Sequence, residues 1–312
     1  MKRTGGGTFD PNRKWLYFTS SNAERIDHAA RCHDSVLIAA DHFMGRDGKI
    51  NNTIRYLEKW LNEGRTVFLD SGVFTLGMDH ARKHNLSFYE VLAIPPEHID
   101  GYDALLNVYI ELVKRYEARV WGYVEIDFGG TQQKRETRAM LESEGLNPIP
   151  VYHPLTDPWE YFDELAQSYD RICFANVVHS PLEVRKRILM TLWQRRRQYP
   201  HLWIHVLGYT VDQFLYALPF HSCDSSTFMS GARWGYVVDR TMGRRLPSLP
   251  PGFNYKRGSD DPERSHNKAT QMLGFIAMSY ERNWFNHFQF WQGEEWPPFR
   301  ENEAVPQPSQ KA

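Results

Sequence analysis

The sequence predicts an α/β fold, specifically a (β/α)₈ TIM barrel with a C-terminal arm and helix, on three observations. Eight short apolar segments recur along the chain, helical patterns separate most of them, and the chain has 312 residues. Strands that alternate with helices pair in parallel, and eight such units close into a barrel of about 250 residues. An open doubly wound sheet is the alternative, but no Gly-x-Gly-x-x-Gly follows the first strand, so the usual dinucleotide fingerprint is missing.

The predicted strands are short apolar runs that end in polar or small residues. They cover residues 16–20, 36–41, 66–70, 120–127, 148–153, 171–177, 203–208 and 221–225. The first clear helix has apolar residues three and four positions apart, from Ile54 to Leu61, before Gly64 ends it. Asp157 and Ser180 each precede a proline at a helix start. Similar patterns predict helices at 102–117, 131–144, 159–168, 182–197 and 211–218.

Changes in composition divide the chain into four regions. We expect a flexible N-terminus over residues 1–14 and the catalytic barrel over 15–240. An Arg-, Pro- and Gly-rich stretch and an aromatic stripe predict an arm and a long helix over 241–296, packed on the barrel. The polar, proline-rich residues 297–312 are expected to be disordered.

Bulk composition is that of an ordinary globular protein, with 41% hydrophobic residues and a net charge of −1. No apolar run is long enough to span a bilayer, and the first residues lack the apolar core of a signal peptide. We therefore expect a cytoplasmic protein. Its three cysteines, Cys32, Cys173 and Cys223, fit a reducing compartment and show no zinc-ligand spacing.

Polar or small residues end seven of the predicted strands. In a TIM barrel the active site lies at the carboxyl ends of the strands, so these residues are expected to face one end of the molecule. They are Asp41, Asp70, Asp127, His153, Asn176, Gly208 and Asp224.

Two of these ends, Asp70-Ser71 and Asp224-Ser225, share an Asp-Ser step after an apolar run. Two carboxylates at one site can divide the attack on a sugar carbon from the handling of protons. Gly72 follows and lets the backbone approach a ligand closely. The alternative for Asp70 is a carboxylate that only caps a turn.

The other strand ends have structural alternatives as well. Asp127 precedes two glycines and could cap the helix near residue 131; Glu125, two residues earlier, is expected on the same, interior strand face. His153 could be structural, since a proline follows it. Gly208 either ends a strand or clears space for a flat ligand, and His205 is expected to pack.

Two basic clusters follow. The cations between residues 185 and 197 lie on one predicted helix, where a solvated face is the preferred interpretation. The second cluster lies just beyond Asp224 and is interleaved with Phe253 and Tyr255. Cations and aromatic rings together favour contact with nucleic-acid phosphates and base stacking. This cluster comprises Arg233, Arg240, Arg244, Arg245, Lys256 and Arg257.

With these motifs, the chain resembles the tRNA-guanine transglycosylase superfamily. It looks most like the DNA 7-deazaguanine transglycosylases of phages and bacteria. The family's Asp-Ser-Gly-x-Phe motif matches Asp70-Ser-Gly-Val-Phe74, and its nucleophile segment matches residues 224–235. The strand that precedes this segment matches residues 203–208, so the resemblance spans roughly residues 66–235.

The resemblance implies a role for each matched residue. Asp224 would be the nucleophile at C1′, Asp70 the general acid and base, and Asp127 a hydrogen-bond partner of the exchanged base. The substrate-binding residues implied are Ser71, Gly72, Phe74, Asp127, His153, Asn176, Gly208 and Tyr209. Phe74, Tyr209 or Trp234 could stack on the base.

The resemblance also implies the substrates. These are nucleic acid and a free 7-deazaguanine base such as preQ0, with no metal or other cofactor. DNA is favoured over tRNA because the tRNA enzymes carry a cysteine-rich zinc site, and no cysteine follows Cys223. The target base must be flipped out or single-stranded, and accessory proteins could supply substrate or open the strand. The alternatives are exchange in tRNA, a retaining glycosidase that uses the same two aspartates, and a non-catalytic nucleic-acid-binding barrel.

Overall fold

The computed structural model describes residues 5–8, 15–19, 34–177, 180–209, 221–226, 236–239 and 244–247, with the isolated positions 23, 26, 27 and 30. It is a mixed α/β structure built on parallel strands. The strands are Trp15–Phe18 (β1), Ser35–Ala39 (β2), Thr66–Asp70 (β3), Gly122–Tyr123 (β4), Val151–Tyr152 (β5), Arg171–Phe174 (β6), Trp203–Val206 (β7), Ser222–Ser225 (β8), Tyr236–Asp239 (β9) and Arg244–Pro247 (β10).

Strands β1 to β8 form one parallel sheet with the order β4-β3-β2-β1-β8-β7-β6-β5. The register pairs Ala39 with Asp70, and Val206 with Cys223. Because neighbouring strands run in the same direction, their carboxyl ends lie at one edge of the sheet. The strand-end residues predicted from the sequence therefore share this carboxyl edge.

Seven α-helices lie within the described residues. They are Ile54–Asn62 (α1), Val73–His84 (α2), Phe88–Leu92 (α3), Tyr102–Tyr116 (α4), Thr131–Ser143 (α5), Trp159–Ser168 (α6) and Leu182–Arg196 (α7). The sequence did not predict α2 and α3. Helix α2 lies between two residues in the left-handed region, Gly72 and Asn85, and α3 begins with a capping box between Ser87 and Glu90. The predicted helix at 211–218 lies outside the described residues.

Apolar side chains pack in three clusters around the sheet. Two lie between strands and helices, and one of these contains Leu57, Trp60 and Leu112. The third is built from side chains in or next to the strands, including Phe68, Trp121 and Trp203. Beside it, the rings of Phe68 on β3 and His205 on β7 have centroids only 4.9 Å apart.

Strands β4 and β5, at the two ends of the sheet order, are also linked. Val124, directly after β4, forms a parallel bridge with Ile149, just before β5. Ile149 N–H donates to the Tyr123 carbonyl at 2.8 Å, and Glu125 N–H donates to the Ile149 carbonyl at 3.0 Å. Both strands are shorter than predicted, since the prolines at 148 and 150 carry no amide hydrogen for a ladder.

Of residues 1–14 the structure describes Gly5–Thr8, which packs against the amino edge of the sheet. Gly6 N–H donates to the Asn147 carbonyl at 2.6 Å, and the Gly6 carbonyl accepts a bond from Arg171 Nη2 at 2.8 Å. A side chain at Gly6 would clash, since a Cβ there would lie 2.3 Å from Tyr123 Oη. The glycines thus allow a close backbone approach.

The C-terminal part of the chain is described only at β9 and β10, which pair as an antiparallel hairpin. The expected boundary between barrel and arm, at residue 240, falls between these two strands. Residues 248–312, which include the predicted long helix and tail, lie outside the described residues. Within the described part, no helix has the length and apolar character needed to cross a bilayer.

Candidate functional site

Four carboxylates converge at the carboxyl edge of the sheet: Asp41 after β2, Asp70 at the end of β3, Asp127 after β4 and Asp224 in β8. We call them the carboxylate cluster. Burial raises the pKa of Asp70 from its ordinary value of 3.8 to about 8, and the charges of Asp127, Asp224 and Asp41 add to the effect. The Ser71 N–H, which donates to Asp70 Oδ1 at 2.9 Å, opposes the shift only in part. Asp70 is therefore protonated at neutral pH.

Asp224 is 4% exposed and is held by two neighbours on β7 and the loop after it. Gly208 N–H donates to Asp224 Oδ1 at 2.6 Å, and His205 Nε2 lies 3.3 Å from the same oxygen. His205 Nδ1 lies 2.7 Å from Ser222 Oγ. Gly208 has a φ of +66°, a conformation that glycine adopts without strain.

Asp127 pairs with His153, whose Nε2 lies 2.5 Å from Asp127 Oδ2. The capping alternative for Asp127 does not apply, because the N-cap of α5 is Gly130 and no side chain caps this end. His153 N–H donates to Asp157 Oδ2 at 2.8 Å, and Asp157 forms an ion pair with the buried Lys134 of α5. A series of buried polar contacts therefore fixes the position of His153, and His153 in turn fixes that of Asp127.

Glu125 does not share the surroundings of Asp127, which corrects the expectation for this pair. Its carboxylate is fully buried and accepts bonds from Arg138 Nε on α5 at 2.6 Å and from Val151 N–H at 2.6 Å. Because β4 ends at Tyr123, the strict alternation of strand faces does not extend to residues 125 and 127. Glu125 thus links the sheet to a helix.

Two strand-end side chains carry polar atoms that no described residue satisfies. They are Asp41 Oδ1 and Asn176 Nδ2, both buried. Asn176 has a φ of +62°, which is uncommon outside glycine. A Cβ on Gly72 would lie 2.8 Å from Asp41 Oδ1, so glycine is needed for this close approach. A buried acceptor or donor without a protein partner is available to form a hydrogen bond with a ligand.

The remaining predicted substrate-binding residues have different environments. Ser71 is buried, and Phe74, in the first turn of α2, is 45% exposed with its ring edge against Phe88 at 5.0 Å. Tyr209 is 3% exposed and packs in the core cluster of β5–β8, with Arg185 over its ring. Phe74 can therefore stack on a flat ligand, whereas Tyr209 does not have an exposed face for it.

One group of described residues combines metal-ligating side chains, at His80, His84 and Asp100. Existing bonds occupy it: Asp100 Oδ2 accepts from Lys83 Nζ at 2.7 Å, and His80 Nδ1 accepts from Asp100 N–H at 3.1 Å. A cation would have to displace both. The group lies toward the C-terminal end of α2, whereas the carboxylate cluster lies beyond its N-terminal end.

The predicted phosphate-binding cations fall largely beyond the described residues. Arg244 and Arg245 lie in β10. The other four lie outside the described residues: Arg233, Arg240, Lys256 and Arg257. The cations of α7 have acidic neighbours: Lys186 pairs with Glu183 at 2.7 Å, and Arg195 with Asp163. Arg187 and Arg197 are exposed, as the sequence indicated. Arg185, however, lies over the Tyr209 ring and Arg196 contacts His221, so only part of this cluster forms a solvated face.

Sequence reasoning overlooked the contribution of His205 and Lys134 to the site. His205 was expected only to pack, and its position three residues before the end of a predicted strand was the available signal. Its partners Ser222 and Asp224 lie on the neighbouring strand, where the register pairs His205 with Ser222.

No family model and no curated protein matches the chain. It is similar to a solved structure from Aquifex aeolicus VF5, described as "Structural study of Project ID", with 8% sequence identity. The match covers 87% of this chain and 94% of that chain, with a TM-score of 0.41. A likeness at this level carries no argument about function.

Proposed function

We propose that this protein is a transglycosylase that exchanges guanine in DNA for a free 7-deazaguanine base through a covalent aspartyl-glycosyl intermediate. The observation that supports it best is that a protonated Asp70 and a hydrogen-bonded Asp224 lie in the same carboxylate cluster. Two carboxyl groups whose environments differ in this way can act as acid and nucleophile.

In the first step, the Asp224 carboxylate forms a bond to C1′ while the C1′–N9 bond of guanine breaks. The electron pair of that bond moves to the departing base, and Asp70 donates its proton there. In the second step, a nitrogen of the incoming base loses its proton to the Asp70 carboxylate and bonds to C1′. The bond from C1′ to Asp224 breaks, which restores both residues.

The proposed substrate suits the polar groups around the cluster. A guanine-type base carries N–H donors on one edge and a carbonyl acceptor beside them. Asp127, fixed by His153, and the unsatisfied Asp41 Oδ1 offer acceptors, and Asn176 Nδ2 offers a donor. Phe74 has an exposed ring for stacking. No resident metal or cofactor takes part in the proposed chemistry.

The finer architecture that we propose is a closed (β/α)₈ barrel. Its first support is the bridge between Val124 and Ile149, which links the two ends of the sheet order. The second is the contact between Phe68 and His205, on strands four positions apart. In an open sheet, strands four positions apart lie about 19 Å from one another.

DNA as the acceptor is supported by the basic cluster in the sequence between residues 233 and 257 and by the lack of cysteines for the zinc site of the tRNA enzymes. Accessory proteins for substrate supply or strand opening, and a cytoplasmic location, belong to the same proposal. The decisive experiment offers DNA and tRNA in parallel with labelled preQ0 and measures which polymer gains label.

We expect label in DNA from the wild type, none from Asp224→Asn, and a loss of about 10²–10⁴-fold from Asp70→Asn. Asp103→Asn, an exposed aspartate on α4, serves as the matched control and should exchange normally. Label in tRNA alone would move the assignment to that polymer. Release of free base with an abasic site would mean hydrolysis, and binding without turnover in the wild type would mean a non-catalytic barrel.

A further inference from the structure

The hydrogen bonds on Asp224 are not shared between its two oxygens. Gly208 N–H, at 2.6 Å, and His205 Nε2, at 3.3 Å, both reach Oδ1. Within the described part of the chain, no hydrogen bond is made to Oδ2. The two oxygens of this carboxylate are therefore chemically distinct before any substrate binds.

The proton arrangement on His205 follows from its partners. An ionised carboxylate only accepts hydrogen bonds, so the contact with Asp224 requires a proton on Nε2. In the neutral ring Nδ1 is then an acceptor, and Ser222 Oγ, 2.7 Å away, donates its hydrogen there. The Asp224 carboxylate thus sets the tautomer of His205, and the Ser222 hydroxyl satisfies the nitrogen that remains.

The ring of His205 is also fixed in orientation. It is fully buried, with the Phe68 ring edge-on at 4.9 Å and the Trp203 ring parallel to it at 6.4 Å. These contacts leave an imidazole with a single orientation and both nitrogens in use. The relay from Ser222 through His205 to Asp224 is therefore preorganised.

We propose that His205, anchored by Ser222, is a positioning residue that holds Asp224 Oδ1 together with Gly208 N–H, so that Oδ2 is the oxygen that bonds to C1′. This rests on the proposed transglycosylase function. It adds which oxygen attacks and which half of the reaction the two donors accelerate.

The donors favour the departure of Asp224 in the second step. In the glycosyl ester, Oδ2 is bonded to C1′ and Oδ1 is the carbonyl oxygen. When the incoming base bonds to C1′, the electron pair of the C1′–Oδ2 bond passes to the carboxylate, and negative charge grows on Oδ1. The bonds from Gly208 and His205 strengthen as that charge develops, which lowers the barrier. In the first step, negative charge leaves the Asp224 carboxylate as it bonds to C1′. The same two hydrogen bonds weaken, so they do not accelerate this step.

The experiment separates the two steps. The enzyme is mixed with DNA and no incoming base, and the rate of covalent adduct formation is measured; labelled preQ0 is then added, and the rate of adduct decay is measured. We expect His205→Phe, which keeps a flat apolar ring and removes the donor, to slow decay by about 10²-fold. Adduct formation should change far less, so that adduct accumulates during turnover. His205→Gln, which restores an N–H donor, should recover most of the decay rate.

Ser222→Ala provides a second test that keeps His205 in place. Without the serine hydroxyl, Nδ1 loses the hydrogen bond that anchors the ring, and we expect slower decay with little change in formation. Equal slowing of both steps in His205→Phe and Ser222→Ala, or no slowing of decay in either variant, would refute the positioning role. A wild type that forms no adduct with DNA or tRNA would instead refute the proposed function, and this inference would fall with it.

Discussion

At the level of single residues, the carboxyl group of Asp70 has the most informative surroundings. Burial and three neighbouring carboxylates all oppose its ionisation, and only one backbone N–H stabilises the charge. In the unfolded chain Asp70 ionises near its ordinary pKa of 3.8, whereas in the folded protein it keeps its proton up to about pH 8. The folded state therefore binds more protons than the unfolded state between these values, and stability falls as pH rises through this range.

This difference predicts a pH-dependent gain in stability for Asp70→Asn. Below about pH 4 the variant should unfold like the wild type, because Asp70 is neutral in both states there. At pH 8 its free energy of unfolding should exceed that of the wild type by on the order of 5 kcal/mol. Urea unfolding at several pH values measures the effect, with Asp103→Asn as the control. A gain that does not change with pH would contradict the raised pKa of Asp70.

At the level of elements, helix α5 supports the site through the loops after β4 and β5. Lys134 lies on α5 with no exposed surface and pairs with Asp157, which in turn accepts His153 N–H at 2.8 Å. One turn further along the helix, Arg138 pairs with the buried Glu125. Two buried ion pairs thus attach one helix to the two strand ends that hold Asp127 and His153.

Lys134→Met should destabilise the protein by about 3–5 kcal/mol, because it leaves the Asp157 charge buried without its partner. The matched control is Lys114→Met, which breaks an exposed pair with Glu144 and should cost less than about 1 kcal/mol. Urea unfolding measures both.

A double variant, Lys134→Met with Asp157→Asn, removes the unpaired charge and should recover part of the loss. If Lys134→Met unfolded no more easily than Lys114→Met, the buried pair would not be the support for His153 that the contacts indicate.

The positions of the candidate residues at strand ends could be predicted from the sequence better than the bounds of the elements around them. Asp70, Asp127, His153 and Asp224 could be assigned to strand ends, because an apolar run that stops at a polar residue is a local signal. The shortness of β4 and β5 depends on the prolines at 148 and 150. The separate surroundings of Glu125 depend on its contact with helix α5. Likewise, the contact between His205 and Ser222 depends on strand register, which is set between distant segments.

At the level of the whole molecule, the proposed closed barrel rests on a few bonds between Tyr123, Glu125 and Ile149. If the sheet is closed, the amides of Glu125 and Ile149 lie inside a continuous ladder, and we expect slow hydrogen exchange for both. The reference is the Val124 amide, which donates to the Leu69 carbonyl at 2.9 Å between β3 and β4. Residue-resolved hydrogen exchange should give similar protection for the three amides. Much faster exchange at Glu125 and Ile149 would mean that β4 and β5 are open edges.

The contacts of Gly5–Thr8 have a consequence for synthesis of the chain. The bond from Thr8 to the Val120 carbonyl spans 112 positions, and the bond from Arg171 to the Gly6 carbonyl spans 165. Val120 is therefore synthesised long after Thr8, and Arg171 long after Gly6. Gly5–Thr8 therefore stays undocked while these partners are made and joins the rest of the structure after the strands that receive it have formed.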